Sequence, residues 1–282
     1  MQLKNFIKKN LVPYRLLTSR VRLTPDFIVI GVQKSGTTSL YKYMVKHPHI
    51  APAFEKEIHF FDYKFNKGLD WYRLYFPTVI YKYFTENIFK HNIITGEATA
   101  NYIFDLHAPR RISELLPKVK LIVLLRNPVD RAYSHYHHQV KAGREHLSFD
   151  DCVKTESERL KGEITKILAD ENYFGFNYRN FSYLLRGVYI DQLKRWFSYF
   201  TKDQILIIES ENLFENPSVV VNNVFKFLGL PKFTKMRFKK YNSSVYTEMD
   251  KSTREYLVNY FKPHNSRLYK FLGRKFSWDQ IN

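Results

Sequence analysis

The sequence predicts an α/β fold in which helices flank a parallel, P-loop-like sheet within a single domain. Three segments carry this prediction, because in each a short apolar run is followed by turn residues and then by a helical pattern. The 282 residues are 44% hydrophobic and 17% aromatic, which is enough to build one sizeable core. The sequence contains no internal repeat and no low-complexity linker.

The strand–helix units are spread over most of the chain. The predicted strands, each with the helix that follows it, are 27–30 with 38–47, 119–125 with 127–141, and 205–208 with 217–229. Pro48 closes the first helix, and Pro128 takes the first position of the second, where a missing N–H costs nothing. Residues 93–95 are β-branched and predict a further short strand that runs into Gly96. The mixed pattern of residues 143–187 is typical of insertions that wall the ligand side of an open sheet.

The charge balance favours an anionic partner. Lysine and arginine number 45 against 27 acidic residues, a net charge of +18 that is dispersed along the chain. Such an excess suits a phosphorylated cofactor, an acidic polysaccharide, nucleic acid or a membrane surface, with simple solubility as the alternative. Because Cys152 is the single cysteine, the sequence excludes an intrachain disulfide and a cysteine-based metal site.

Residues 1–25 are interpreted as a basic and apolar extension that precedes a domain at residues 26–282. The extension shows neither the hydrophobic core nor the cleavage site of a signal peptide, and no stretch of the sequence approaches the roughly 18 to 20 apolar residues that span a bilayer. We therefore expect a soluble, cytoplasmic protein. Apolar residues such as Phe6 and Leu11 alternate with Lys8 and Lys9, which predicts either peripheral contact with a membrane surface or a helix packed on the domain.

The segment from Gly31 to Thr38 is a candidate phosphate loop. It leaves a predicted strand and enters a predicted helix, so its backbone N–H groups can bind an anion. Compared with the nucleotide triphosphatase pattern, both glycines and the final hydroxyl are present, but Thr37 replaces the lysine and the cation is Lys34. A lysine inside the loop suits a donor with one 5′ phosphate that carries a transferable sulfuryl group, because charge then builds on the bridging oxygen. A glycine turn with an ordinary surface lysine is the alternative.

Four blocks of the sequence resemble one enzyme family. Residues Gln33–Thr38 resemble the 5′-phosphosulfate loop of sulfotransferases that use 3′-phosphoadenosine 5′-phosphosulfate (PAPS). The block Lys56–Asp62 is similar to one in heparan sulfate N- and 3-O-sulfotransferases and their bacterial relatives, and Leu124–Ser134 resembles the family's 3′-phosphate site. Residues Leu272–Trp278 resemble the family's C-terminal end, so the likeness extends over nearly the whole chain from Asp26.

This resemblance implies a sulfotransferase fold and a function. The chain would transfer a sulfuryl group from PAPS to a hydroxyl or amine of a glycan or another carbohydrate-containing molecule, without a metal and without a nucleic-acid partner. Ala98 stands where the 3-O-sulfotransferases carry a catalytic lysine, which makes heparan sulfate a poor candidate for the acceptor. Two alternatives stay open: a P-loop-type kinase, which would require Mg²⁺ with ATP, and a protein that binds nucleic acid or other polyanions through its charge.

The resemblance also assigns catalytic roles. Glu57 would be the general base, Lys34 would act on the transferring group, and His59 would stabilise charge or assist proton transfer. In an extended segment Glu57 and His59 would lie on the same face. Glu97 is the rival for the base. Three other charged residues near Glu57 are interpreted as surface residues: Glu55, Lys56 and Asp62.

The nucleotide-binding residues that the resemblance implies are Gln33, Lys34, Ser35, Gly36, Thr37, Thr38, Arg126, Ser134, Asn242, Ser243 and Ser244. Arg126, at a strand end, offers the forked donor that suits a 3′ phosphate, and Ser134 lies about two helical turns further on. Residues 242–244 align with a Lys-Gly-Arg nucleotide loop of the family. Arg131 is expected to be a charge on the helix surface, and the histidines at 135, 137 and 138 are not expected to form a metal site.

Overall fold

A computed structural model describes residues 2–88, 90–239 and 247–279, with side chains from residue 10 onward. The strands in these ranges are β1 Phe27–Gly31, β2 Ile50–Pro52, β3 Ile94–Ala98, β4 Lys120–Leu125 and β5 Ile205–Glu209. The α-helices are α1 Gln2–Leu17, α2 Thr37–Met44, α3 Gly68–Arg73, α4 Val79–Asn87, α5 Ala108–Leu115, α6 Pro128–Lys141, α7 Phe149–Arg159, α8 Glu163–Ala169, α9 Phe176–Phe181, α10 Tyr189–Phe197, α11 Ser210–Glu215, α12 Pro217–Phe227 and α13 Lys251–Leu272.

The described strands form one parallel sheet in the order β2-β3-β1-β4-β5. β1 is central and buried throughout, and its alternate residues contribute to two different cores: Ile28 to one face of the sheet and Val29 to the other. Gly96 permits the close approach of β1 to β3, because a Cβ atom there would lie 2.4 Å from the carbonyl oxygen of Phe27. The predicted parallel α/β sheet is confirmed.

The sheet order places a crevice at the carboxyl ends of the central strands. The chain leaves β1 between β3 on one side and β4 on the other, and the loops that follow these three strands meet at one edge. In open α/β sheets this position, where neighbouring connections diverge, is where ligands bind. The predicted phosphate loop after β1 and Arg126 after β4 therefore arrive at the same edge.

Several element boundaries differ from the sequence prediction. The predicted strand at residues 93–95 is longer as β3 and includes Gly96 and Glu97, so Glu97 lies within a strand rather than after one. β2, at Ile50–Pro52, was not predicted, because three residues directly after a proline-closed helix carry too little pattern. The predicted loop after β5 contains the short helix α11, and residues 143–187 are largely helical through α7, α8 and α9.

The last turn of α1 is anchored to the segment that leads into α4. The Arg15 guanidinium donates to the carbonyl oxygens of Leu74 at 2.6 Å and Phe76 at 3.0 Å, and Arg22 donates to Phe76 at 2.9 Å. The division at residue 25 stays a prediction. Among the described residues, no helix is both long enough and apolar enough to cross a bilayer.

Candidate active site

A cavity of about 780 Å³ opens at the carboxyl edge of the sheet. The sequence-predicted residues that line it are Gln33, Lys34, Gly36, Thr37, Thr38, Glu57, His59, Arg126 and Ser134. They come from the loop after β1 and the start of α2, from the segment between β2 and α3, from the residue after β4, and from α6. The structure thus brings the predicted nucleotide site and the predicted catalytic block together in one cavity.

Two features fix the shape of the phosphate loop: the backbone conformation of Gly36 and a hydrogen bond from Ser210 to the backbone of Ser35. Gly36 caps α2 with a φ of 89°, and a Cβ atom there would lie 2.9 Å from the ring of Phe214. The first N–H groups of α2 have no partner within the helix, so this end of the helix suits an anion. Ser35 is fully buried, and its carbonyl oxygen accepts a 2.6 Å hydrogen bond from Ser210 Oγ. The structure does not bring the Ser35 side chain into the cavity.

Backbone strain is concentrated at the predicted catalytic residues. Among the described residues, the non-glycine positions with positive φ are Lys34 at 73°, Glu57 at 59°, His59 at 60° and Lys90 at 55°. Such conformations are uncommon for residues with a Cβ atom and are found disproportionately at functional sites. The condition of an extended segment at Glu57 and His59 is not met, because the left-handed backbone at both residues turns the chain.

Two hydrogen bonds hold Glu57 in place, one made by its backbone and one by its carboxylate. The Glu57 N–H donates to the carbonyl oxygen of Ala98 at 3.0 Å, and Glu57 Oε2 accepts from the N–H of Ala100 at 3.1 Å. The ammonium group of Lys56 makes an ion pair with Glu57 Oε1. Lys56, interpreted from sequence as a surface residue, therefore places a cation beside the predicted base in a chain that has alanine at position 98.

His59 is held by the carboxylate of Asp62. This residue is buried, although it is interpreted from the sequence as a surface residue. His59 Nδ1 lies 2.9 Å from Asp62 Oδ2, which also accepts from Asn101 at 2.9 Å and from Arg179 at 3.3 Å. Burial alone would raise the pKa of Asp62, but the hydrogen bond and charge of His59, together with the charge of Arg179, hold that pKa below its usual value. His59 Nε2 lies 3.9 Å from Glu57 Oε2, so the imidazole and the carboxylate face each other.

Glu97, the rival for the base, lies behind the cavity rather than in it. It is fully buried and accepts hydrogen bonds from Tyr72 at 2.7 Å, Thr99 at 2.6 Å and Tyr102 at 3.2 Å. Burial raises the pKa of Glu97 to about 7 against the lowering effect of these hydrogen bonds. Tyr102 Oη in turn accepts from the N–H of Phe60 at 2.9 Å. Glu97 therefore supports the turn that carries Glu57 and His59.

Arg126 and Ser134, the residues predicted to bind the 3′ phosphate, both line the cavity, and Arg126 also braces the phosphate loop. Arg126 Nη1 donates to the carbonyl oxygen of Lys34 at 2.9 Å, and Tyr189 donates to the carbonyl oxygen of Arg126 at 2.8 Å. Arg131 is not the predicted surface charge: it is fully buried and donates to the carbonyl oxygen of Tyr183. The segment around Tyr183 covers this part of α6. The hydrophobic periodicity of a single helix does not reveal that a distant segment buries one of its charged residues.

Two other predictions concern nucleotide and metal ligands. Asn242, Ser243 and Ser244 lie outside the described residues. Of the histidines on α6, His135 is buried beside Gln139, while His138 lines the cavity with its pKa lowered by burial and by the charge of Lys34. Within the described ranges, no three His, Cys, Asp or Glu side chains form a group that could hold a metal ion.

The chain that forms this arrangement of a loop, an arginine and a carboxylate–imidazole pair matches a known family. A family model described as “Sulfotransferase domain” matches residues 24–267 of the chain. The chain belongs to the sulfotransferase family. The family resemblance noted in the sequence is thereby confirmed, and the loop after β1 and the block before α3 lie within the matched range.

Named relatives agree with this assignment. The chain is 29% identical to the membrane-associated sulfotransferase kil1 of Dictyostelium discoideum, over 90% of this chain and 66% of that protein. It is 33% identical to the bifunctional heparan sulfate N-deacetylase/N-sulfotransferase 1 of Mus musculus, over 88% of this chain, but spans only 29% of that enzyme's length. The crystal structure of a sulfotransferase from Alicyclobacillus acidocaldarius superposes with a TM-score of 0.68 at 29% identity, over 92% of this chain and 100% of that one.

Proposed function

We propose that the chain transfers a sulfuryl group from PAPS to a hydroxyl or amine of a carbohydrate acceptor. The observation that carries this proposal is a single cavity in which an anion-binding helix terminus with Lys34 faces the Glu57–His59 pair. The family membership supports sulfuryl transfer as the reaction class. Four parts of the proposal are inferences about this chain. They are PAPS as the donor, carbohydrate as the acceptor, the lack of a nucleic-acid partner and a cytoplasmic location.

The lining residues fit a nucleotide that carries anions at both ends. The first N–H groups of α2 and the Lys34 ammonium would hold the 5′-phosphosulfate, which supplies the sulfuryl group and a phosphate leaving group. Arg126 and Ser134 would hold the 3′ phosphate, since a guanidinium and a hydroxyl both donate to phosphate oxygens. Because Arg126 also bonds to the Lys34 carbonyl oxygen, binding at one end of the nucleotide would be coupled to the shape of the loop at the other.

The catalytic residues divide the chemistry between them. Glu57 would accept the proton of the acceptor group as its oxygen or nitrogen bonds to sulfur. Lys34 would neutralise the charge that builds on the leaving phosphate oxygen as the bond from sulfur to that oxygen breaks. His59, held by Asp62 at 2.9 Å, would stabilise charge on the transferring group. Asp62 is a positioning residue in this scheme, because it acts through His59.

The acceptor side of the cavity suits a sugar. Tyr63 stacks on His59 with ring centroids 4.8 Å apart, and Phe174 meets Tyr63 edge-on at 5.2 Å. Arg179 lies over the Tyr63 ring at 5.0 Å and is fixed by Asp62 and Asp105. Aromatic faces pack against the C–H groups of a sugar ring while a few fixed polar groups bind its hydroxyls. The names of the heparan sulfate relatives, which refer to a glycan, also support a carbohydrate acceptor.

The proposal is tested by incubating the full chain with labelled PAPS and a panel of oligosaccharides, with products identified by mass spectrometry. We expect sulfated carbohydrate, and we expect the reaction to proceed in EDTA because no metal has a role in this scheme. Transfer of phosphate from ATP that depends strictly on Mg²⁺ would instead support the kinase alternative. Binding of nucleic acid without any transfer would support the polyanion-binding alternative.

A variant at Tyr63 tests the acceptor class separately from the donor. Tyr63→Leu removes the aromatic face but keeps a side chain of similar burial, so KM for the carbohydrate should rise while the Kd for adenosine 3′,5′-bisphosphate is unchanged. Tyr63→Phe retains the ring and is the matched control. Equal KM values for the leucine variant and the wild type would remove the aromatic argument for a sugar.

Lys34→Ala should lower turnover more than it weakens binding of adenosine 3′,5′-bisphosphate. The reason is that Lys34 is assigned to the charge that develops during transfer, which this product nucleotide does not carry. We expect a loss of about 10²- to 10³-fold in kcat, measured beside the nucleotide Kd by calorimetry. Lys42→Ala, at an exposed lysine on α2, the helix that follows the loop, is the matched control. A loss confined to nucleotide affinity would make Lys34 a binding residue only.

A further inference from the structure

The helix α4 is oriented with its apolar side outward. Ile80, Phe84 and Ile88 follow one another at a spacing of four residues and are 60%, 49% and 61% exposed. The polar residues Lys82 and Glu86 lie on the opposite side, where they are partly buried and 3.7 Å apart. A surface helix of a soluble domain normally buries its apolar stripe against the domain. The exposed apolar face of α4 is therefore a surface that a membrane or a protein partner would cover.

The exposed face of α4 continues onto the N-terminal segment. Arg22 and Thr78 form an antiparallel bridge, and the N–H of Leu23 donates to the carbonyl oxygen of Pro77 at 2.9 Å. In that register Val21 stands opposite Val79, and both are about half exposed. The other large side chains exposed on this segment are Leu11, Val12, Tyr14, Leu16 and Leu17. Val21 therefore extends the apolar face of α4 onto the N-terminal segment, and we call the exposed apolar residues of α4 and of this segment the α1–α4 surface.

Charge and composition decide what covers the α1–α4 surface. Residues 1–25 contain six basic residues and no acidic one, and Lys90 and His91 follow α4. The exposed tyrosines Tyr81 and Tyr83 have the amphipathic character of side chains that lie at the headgroup level of a bilayer. A second copy of the chain would bring two predominantly basic segments together, in each of which Arg20 pairs with Asp70, whereas an anionic lipid surface attracts them.

We propose that the α1–α4 surface docks the chain peripherally on a bilayer containing anionic phospholipid. The apolar side chains of α4 would enter the boundary between headgroups and acyl chains, and the net positive charge of the N-terminal segment would add electrostatic attraction to the anionic headgroups. This proposal does not rest on the sulfotransferase reaction, because none of the residues on the surface lines the catalytic cavity.

The full chain is tested by co-sedimentation with phosphatidylcholine vesicles that contain either no phosphatidylserine or about 30% of it. We expect sedimentation with the anionic vesicles, and its reduction as salt is raised to about 0.5 M. The double variant Ile80→Glu/Phe84→Glu should partition at least roughly tenfold more weakly, because a carboxylate in the apolar boundary is costly. Val219→Glu, at a residue of α12 that is 61% exposed, is the matched control and should bind as the wild type does.

Several outcomes would overturn the proposal. Failure of the wild type to sediment, equal sedimentation with both vesicle types, or wild-type partitioning of the double variant would each do so. A wild-type dimer in light scattering that dissociates in the double variant would assign the surface to a second copy. Circular dichroism and thermal midpoints establish that the variants are folded, and Tyr83→Glu alone is the milder substitution should the double variant fail to fold.

Discussion

Glu57→Gln is expected to lower turnover by roughly 10²- to 10⁴-fold, the usual contribution of a positioned general base. Glutamine keeps the size of the side chain and an oxygen for the N–H of Ala100, which now lies 3.1 Å from Glu57 Oε2, but it cannot take a proton. Binding of adenosine 3′,5′-bisphosphate should stay unchanged, since Glu57 is assigned to the acceptor. Turnover under saturating PAPS and nucleotide affinity by calorimetry check the two parts.

Glu97→Gln, made in parallel, gives this experiment its control. Glu97 lies outside the cavity among Tyr72, Thr99 and Tyr102, so its replacement should alter stability by about 1–3 kcal/mol and turnover by less than about tenfold. The thermal midpoint reports the first effect and the steady-state assay the second. A folded but inactive Glu97 variant beside a nearly normal Glu57 variant would move the base to β3.

Arg126→Ala is expected to abolish most of the preference for adenosine 3′,5′-bisphosphate over AMP. The wild type should favour the bisphosphate strongly, because Arg126 and Ser134 are assigned to the 3′ phosphate. The loss should be roughly 30- to 4000-fold, which corresponds to about 2–5 kcal/mol for a charge pair removed from a partly buried site. Titration calorimetry with both nucleotides measures the ratio directly.

Two further variants separate recognition of the 3′ phosphate from support of the loop. Ser134→Ala leaves the bond from Arg126 to the Lys34 carbonyl oxygen intact and should reduce the preference to a smaller extent. Arg126→Lys keeps the charge but loses the fork, so it should restore only part of the preference. If Arg126→Ala weakened AMP and the bisphosphate equally, Arg126 would act through the loop and not through the 3′ phosphate.

The fold was predictable where a strong local pattern coincides with the tertiary arrangement. β1, β4 and β5 are apolar runs that enter helices, and a parallel sheet buried on both faces requires such runs. β2 was missed because pairing with β3, and not its own three residues, makes it a strand. The predicted end of β3 at residue 95 was too early, because Gly96 and Glu97 disfavour strands locally and are placed there by packing against β1.

The site was predictable as a set of residues but not as a geometry. The motifs identified Lys34, Glu57, His59 and Arg126, and the structure gathers all four around one cavity. The turn at Glu57 and His59 could not be foreseen, because nothing in a run of ordinary residues signals a positive φ in the absence of glycine. Likewise, the burial of Asp62 depends on distant partners, chiefly Asn101 and Arg179, that the fold brings to it.

The positive φ values at Lys34, Glu57 and His59 set activity against stability at the same three positions. Glycine would fit each of these backbone conformations better than the residue that is present, yet it has no side chain with which to bind or react. Selection for a more stable chain and selection for a faster enzyme therefore favour different residues there. The bonds that hold the turn in place, such as that from Glu57 to the Ala98 carbonyl oxygen, are accordingly as much a part of the catalyst as the side chains.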